Sequence, residues 1–283
     1  MRQLKCITLF LLLSVLLIVS PISASDSDWD FIIPDAIKKN TRANYAERSH
    51  IIFQYFLKNS LRSKGGKDFE SVIKRVKNRI FWKQNKQKQN LFVDAFQRSY
   101  PQIKHYQIPS DVPHMVLLMP YLESLWRAKA GDPSKDYGYW QLLNAIVKEI
   151  KELSSTPPYL KKLSTNKIRS HHKLSTTVAL IHLKRYYFYF HNVSGFSKTD
   201  AWLFSIVSYN WGAGNVRRML HKMKQKKIKR SFSSFYHYLY QKQEMDKDNK
   251  SLRSAVEYLP HLWNIAQVIR VKNVAIKKSD KLE

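Results

Sequence analysis

The sequence predicts a mostly helical protein, and three observations carry that prediction. The 283 residues include only seven glycines. Apolar residues recur at three- and four-residue spacings along most of the chain, the repeat of a helix with one buried face. Alternating apolar and polar runs, the mark of a half-buried strand, are few.

Met1 to Ser25 has Arg2 and Lys5, an apolar run from Ile7 to Val19, then Pro21 and the small residues Ser23, Ala24 and Ser25. That order of charge, apolar run and small exit residues is a secretory signal peptide (residues 1–25). The apolar run is short for a bilayer span; an uncleaved anchor is the alternative. The single cysteine, Cys6, lies inside this segment. The rest of the chain therefore has no disulfide, thiolate metal site or cysteine nucleophile. A net charge of +28 on an exported chain points to an extended anionic partner, whether cell wall, membrane surface or nucleic acid.

Asp26 to Asn40 reads as an extended lead-in. Thr41 to Leu61 follows as a helix with Ile51, Ile52, Tyr55, Phe56 and Leu61 near helical spacing. Ser60 to Lys67 breaks it at Gly65-Gly66, and a second helix, Phe69 to Trp82, carries Val72, Ile73, Val76 and Ile80. Residues 26–89 thus form a helical arm clasping a larger domain at residues 90–270. That domain opens with a helix from Leu91 to Tyr100, punctuated by Pro101 and Pro109.

The informative stretch is Val112 to Leu143. With Asp111 as N-cap and Pro113 in the first turn, Val116, Met119, Pro120, Glu123, Trp126 and Arg127 share one helix face. Glu123 then sits among apolar neighbours, where desolvation raises a carboxyl pKa toward the range a proton donor needs. Pro120 should kink the helix one turn earlier. In the competing reading, Glu123 only pairs with Arg127 at i,i+4 on a solvated stripe. Ala128 to Tyr139 has loop composition with room for a short hairpin, and Gln141 begins a helix through Leu153.

Ser154 to His172 reads as a surface connection. His171-His172 has no further ligand at a recognisable spacing, so neither metal nor cofactor is assigned. Ser175 to Phe190 is helical with an aromatic tail. Ser197 as N-cap and Asp200 at N3 start the next helix, in which Trp202, Ile206 and Tyr209 share a face. Gly212-Ala213-Gly214 turns the chain, and Asn210 alone would read as a helix cap. Val216 to Arg230 is strongly basic, either a solvated face or a surface for an anionic polymer. Phe232 to Gln241 is rich in aromatic residues, Tyr258-Leu259-Pro260 begins a closing helix with Leu262, Ile265 and Ile269, and residues 271–283 form a charged, disordered tail.

Leu118-Met119-Pro120-Tyr121-Leu122-Glu123-Ser124, Gly138-Tyr139-Trp140-Gln141, Ser208 to Gly214 (SYNWGAG) and Glu257-Tyr258-Leu259-Pro260 occur in this order. They resemble the motifs LPxxES, GxWQ, AYNxGxG and ETxxYVP of the lytic transglycosylase (SLT domain) family, above all its membrane-bound lytic murein transglycosylase D branch. Each motif is weak alone; four in order are specific. The resemblance covers about residues 90 to 270 and implies a lysozyme-like, goose-type helical domain. It further implies cleavage of the MurNAc-GlcNAc β-1,4 bond of peptidoglycan with 1,6-anhydromuramoyl ends, in the periplasm or cell envelope of a bacterium. Glu123 would be the single acid and base, with Ser124, Tyr139, Gln141, Tyr209, Asn210 and Tyr258 binding the glycan strand. The chain departs from the pattern at Ser254-Ala255, where the family has Glu-Thr, so one cleft carboxylate is missing.

Three other readings remain open. Asp132 or Asp136 could supply the second carboxyl of an ordinary muramidase. The fold could serve a non-catalytic peptidoglycan-binding protein, against which the retained Glu123-Ser124 argues. A nucleic-acid binder would explain the charge, but the export signal and the lack of a groove-reading motif argue against it.

Overall fold

One segment, Lys198–Trp211, is apolar on nearly every face, and the other helices pack around it. In this helix every residue from Thr199 to Ser208 is buried, the pattern of a helix enclosed on all sides. The computed structural model describes residues 45–81, 95 and 112–272. The expected leader, the lead-in, the helix at 91–100 apart from Ala95, the Asp111 cap and residues 273–283 lie outside the described residues.

In chain order the helices are α1 (Tyr45–Ser60), α2 (Ser63–Phe81), a 3-10 turn (His114–Leu118) and α3 (Met119–Ser124). A two-stranded antiparallel ribbon follows, β1 (Asp136–Tyr137) with β2 (Leu142–Leu143), pairing Asp136 with Leu143 and Tyr137 with Leu142. Then come α4 (Asn144–Glu152), α5 (Pro158–Lys161), α6 (Thr165–Ser170) and α7 (His172–Phe188), which ends in a π-helical turn (Tyr189–Val193). The enclosed helix is α8, followed by α9 (Ala213–Gln225), α10 (Phe232–Met245) and α11 (Lys250–Lys272). The fold is mostly helical, as the sequence predicts.

The N-terminal helices are packed into the core. α2 lies against α10 and α11, and α1 against α11 and α8. Ile52, Phe53, Phe56, Phe69, Val72 and Val76 are buried, and Phe53 meets the Trp263 ring edge-on at 5.3 Å. Polar contacts pin the same faces: Ser60 Oγ donates to Thr199 Oγ1 at 2.9 Å, Arg75 pairs with Glu244 at 3.0 Å, and His237 with Asp68 at 2.6 Å.

The break expected within Ser60 to Lys67 falls at Leu61-Arg62, ahead of Gly65-Gly66. Both glycines lie inside α2, and a Cβ on Gly65 would stand 2.1 Å from the Ser233 carbonyl oxygen. Glycine is there so that α2 can approach the start of α10 closely. The closing helix also starts earlier than expected, at Lys250, with Pro260 in its interior. Proline has no N–H for the carbonyl four residues back, which is Val256. The buried Tyr236 hydroxyl donates to Val256 O instead, at 2.8 Å. Ser154 to His172, expected as a surface connection, contains α5 and α6, with Leu160, Ile168 and Arg169 fully buried.

Candidate active site

Glu123 sits near the end of the short helix α3, and the sequence explains how it gets there. Pro120 falls at the start of α3, where a missing N–H costs nothing. The expected kink is therefore a change of helix type, from the 3-10 turn to α3. The helix ends abruptly, with Leu125 and Trp126 both at positive φ (53° and 55°). Arg127 thus leaves the helix face, and its Nε donates to Ser124 O at 3.1 Å. The i,i+4 pair with Glu123 is not formed.

The partner that Glu123 does have comes from α11. Tyr258 Oη donates to Glu123 Oε1 at 2.5 Å. Burial pushes the Glu123 carboxyl up to about 7; the Tyr258 hydrogen bond pulls it down in part, and the nearby charge of Asp136 pushes it up. Near neutral pH the group can both release and accept a proton. Burial, followed by the Glu123 charge, drives the Tyr258 hydroxyl well above the ordinary phenol value, so it remains a donor.

Ser124 is turned inward. It is buried, and its Oγ lies 2.7 Å from Tyr139 O and 3.0 Å from Pro120 O. It ties the acid-bearing helix to the Gly138-Tyr139-Trp140 turn. The Tyr139 ring is buried beside Trp140 and His172, and Trp140 Nε1 donates to Thr176 Oγ1 at 2.8 Å. Gln141 does not begin a helix. It lies in the turn between β1 and β2 at φ 48°, and its Nε2 donates to Ala130 O and Gly138 O at 2.9 and 2.8 Å. In this arrangement Gln141 braces the ribbon on which Asp136 is carried.

Tyr209, near the end of α8, donates its hydroxyl to Trp140 O at 2.7 Å. Burial and the Glu123 charge hold it protonated too. Its ring meets that of His182 edge-on at 6.1 Å, and burial lowers the His182 pKa to about 4, so the imidazole is neutral. Asn210 Oδ1 accepts from Ser254 Oγ at 3.0 Å. Ser254, one turn before Tyr258 on α11, thus contacts the same segment of α8. Glu257 points elsewhere, toward Arg75 at 3.5 Å and His261 at 3.7 Å. The two loop carboxylates differ. Asp132 is tied into its own turn by the Ser134 N–H and hydroxyl, which lower its pKa. Asp136 is exposed and close enough to act on Glu123.

One buried group without a sequence signal holds the ribbon. Arg169, fully buried on α6, donates to Lys135 O (2.8 Å), Leu142 O (3.2 Å), Pro133 O (2.6 Å) and Asn166 Oδ1 (2.6 Å), and lies 5.5 Å from the Tyr137 ring. Gly138, at φ 86°, passes so close that a Cβ would stand 1.8 Å from Arg169 O. An arginine amid many surface cations gives no hint of this in the sequence.

A half-buried carboxyl poised near neutrality, facing a tyrosine donor and flanked by a braced ribbon, is built for proton transfer to and from one bound group. Residues 101–232 match the family model of the Transglycosylase SLT domain. No match was found among curated proteins. The SLT span contains Glu123, the ribbon, Tyr209, Asn210 and α9; Tyr258 lies beyond it and is returned to the acid by α11.

Proposed function

We propose that this chain is a peptidoglycan lytic transglycosylase of the membrane-bound lytic murein transglycosylase D kind, with Glu123 as its single acid and base. The observation that carries the reading is the Glu123 carboxyl at about 7 with Tyr258 donating to it, within a chain whose central span matches the SLT family. The protonated carboxyl gives its proton to the glycosidic oxygen between MurNAc and GlcNAc as the C1–O bond breaks. The 2-acetamido group of MurNAc supports the electron-poor C1. Glu123, now a carboxylate stabilised by the Tyr258 hydroxyl, takes the proton of the sugar's 6-hydroxyl as O6 bonds to C1. The products are a free GlcNAc 4-hydroxyl and a 1,6-anhydro end, and no water is consumed. Ser124, Tyr139, Gln141, Tyr209 and Asn210 serve this reaction by fixing the walls around the acid, and the export signal places it in the cell envelope.

Asp136 keeps a second reading open, since it is the loop carboxylate that acts on Glu123 and hydrolysis needs two carboxyls. Incubating purified sacculi with the wild type and with Glu123→Gln, then analysing soluble fragments by mass spectrometry, separates the two. Anhydromuropeptides from the wild type and none from the variant support transglycosylation; reducing ends, lost in Asp136→Asn, support hydrolysis.

A further inference from the structure

Behind the turn that ends α8 lies a groove of about 770 Å³, walled on one side by α9 and on the other by Tyr189 and Ser194 of the segment after α7. Arg217, Arg218, His221, Lys222, Lys224 and Arg230 line it, and no carboxylate does. None of these cations forms an ion pair among the described residues. Like charges at i,i+4, as at Arg218 and Lys222, destabilise a helix, a cost that no carboxylate within the groove offsets.

The cations are also held in place. The Arg217 guanidinium stands over the Tyr189 ring at 5.2 Å, and that of Arg230 over Phe196 at 5.0 Å. Arg230 also donates to Ser194 O at 3.0 Å, and Arg218 donates to Asn215 Oδ1. A guanidinium stacked through its face keeps N–H edges free, in the planar fork that suits a carboxylate or phosphate. A merely solvated basic face needs no such anchoring.

We infer that this groove binds the carboxylates of peptide stems on the same glycan strand whose sugars lie against Glu123, an inference that rests on the peptidoglycan reading. One short turn links Asn210, bonded to Ser254 at the end of α8, to Gly214, which lines the groove. From there the 13 residues of α9 extend about 20 Å, so a strand leaving the cleft along α9 meets a row of cations. Concavity favours a strand over a flat membrane surface.

The test uses the full chain carrying Glu123→Gln, so that bound strands are not consumed. Its affinity is measured for strands bearing peptide stems and for strands stripped of stems by an amidase, alone and with Arg217→Gln, Lys222→Gln and Arg230→Gln combined. A second variant, Arg217→Lys with Arg230→Lys, keeps the charge but not the fork, and thermal melts confirm that both fold. The triple variant is expected to lose about tenfold in affinity for stem-bearing strands, with stripped strands unaffected and the lysine variant intermediate. Unchanged binding of stem-bearing strands by the triple variant, or an equal loss on stripped strands, overturns the inference. So does a loss confined to anionic vesicles or oligonucleotides, which would assign the groove to phosphates. If the parent chain binds neither kind of strand, the peptidoglycan reading falls first and takes this inference with it.

Discussion

Tyr258 donates its hydroxyl to Glu123 Oε1 at 2.5 Å across 135 residues of sequence, so the acid and its main electrostatic regulator come from opposite ends of the domain. The Tyr258 bond favours the carboxylate, while burial and Asp136 favour the acid. Removing the hydroxyl in Tyr258→Phe should move the alkaline limb of the kcat/KM profile to higher pH and lower the rate about 10²-fold, as loss of one oriented donor does. Asp136→Asn should move the same limb to lower pH. Both shifts are read from initial rates of fragment release between about pH 5 and pH 9, the range in which a group near 7 titrates. Shifts in the same direction would contradict the assignment.

Glu123 also sets a pH dependence of stability. Its pKa is raised on folding, from 4.5 to about 7, so between these values the folded state binds more protons than the unfolded state. Unfolding free energy therefore falls as pH rises through this window. Glu123→Gln removes that loss. The variant should gain on the wild type by up to about 3 kcal/mol between pH 4 and pH 8, measurable as a growing difference in Tm. A constant difference across the window would show that the carboxyl is not held neutral by burial.

Much of this was legible in the sequence. Helical content and the placing of Glu123 in an apolar run follow from local spacing, the order of the motifs from the family resemblance, and the Ser197 cap forms as read, with Ser197 Oγ accepting from the Asp200 N–H. What local pattern could not give was the use of residues by distant partners. Gly65 looks like a helix breaker until Ser233 is placed against it. Gln141 looks like a helix start until its side chain is seen bracing Ala130 and Gly138. Asp200, read as the capping-box acid, spends its Oδ2 on the Phe232 N–H of the next helix but one, at 3.0 Å.

The ribbon gives a prediction at its tightest point. Gly138→Ala places a methyl group against Arg169 O at a φ of 86°, a conformation costly for any residue with a Cβ. It should lower activity about as much as Arg169→Gln does, since both displace the turn carrying Gln141 and Asp136. Arg169→Lys, which keeps the charge but not the fork, should not rescue. Recovery by lysine would mean that charge, rather than the donor geometry of Arg169, holds the ribbon.

The Pro260 interruption of α11 permits a closed test. Tyr236→Phe leaves the buried Val256 carbonyl without its donor and should cost about 1–3 kcal/mol. Pro260→Ala restores an N–H for that carbonyl, so the double variant should lose less than the two single changes summed. Chemical denaturation of the four proteins measures this coupling; strict additivity would place the hydroxyl outside the repair.

Isotope labelling asks whether one carboxyl, Glu123, breaks the glycan without water. Sacculi digested in ¹⁸O-water should yield fragments ending in anhydromuramic acid with no ¹⁸O at C1. Fragments carrying ¹⁸O at a reducing C1 would instead make the protein a hydrolase and assign its second carboxyl to Asp136.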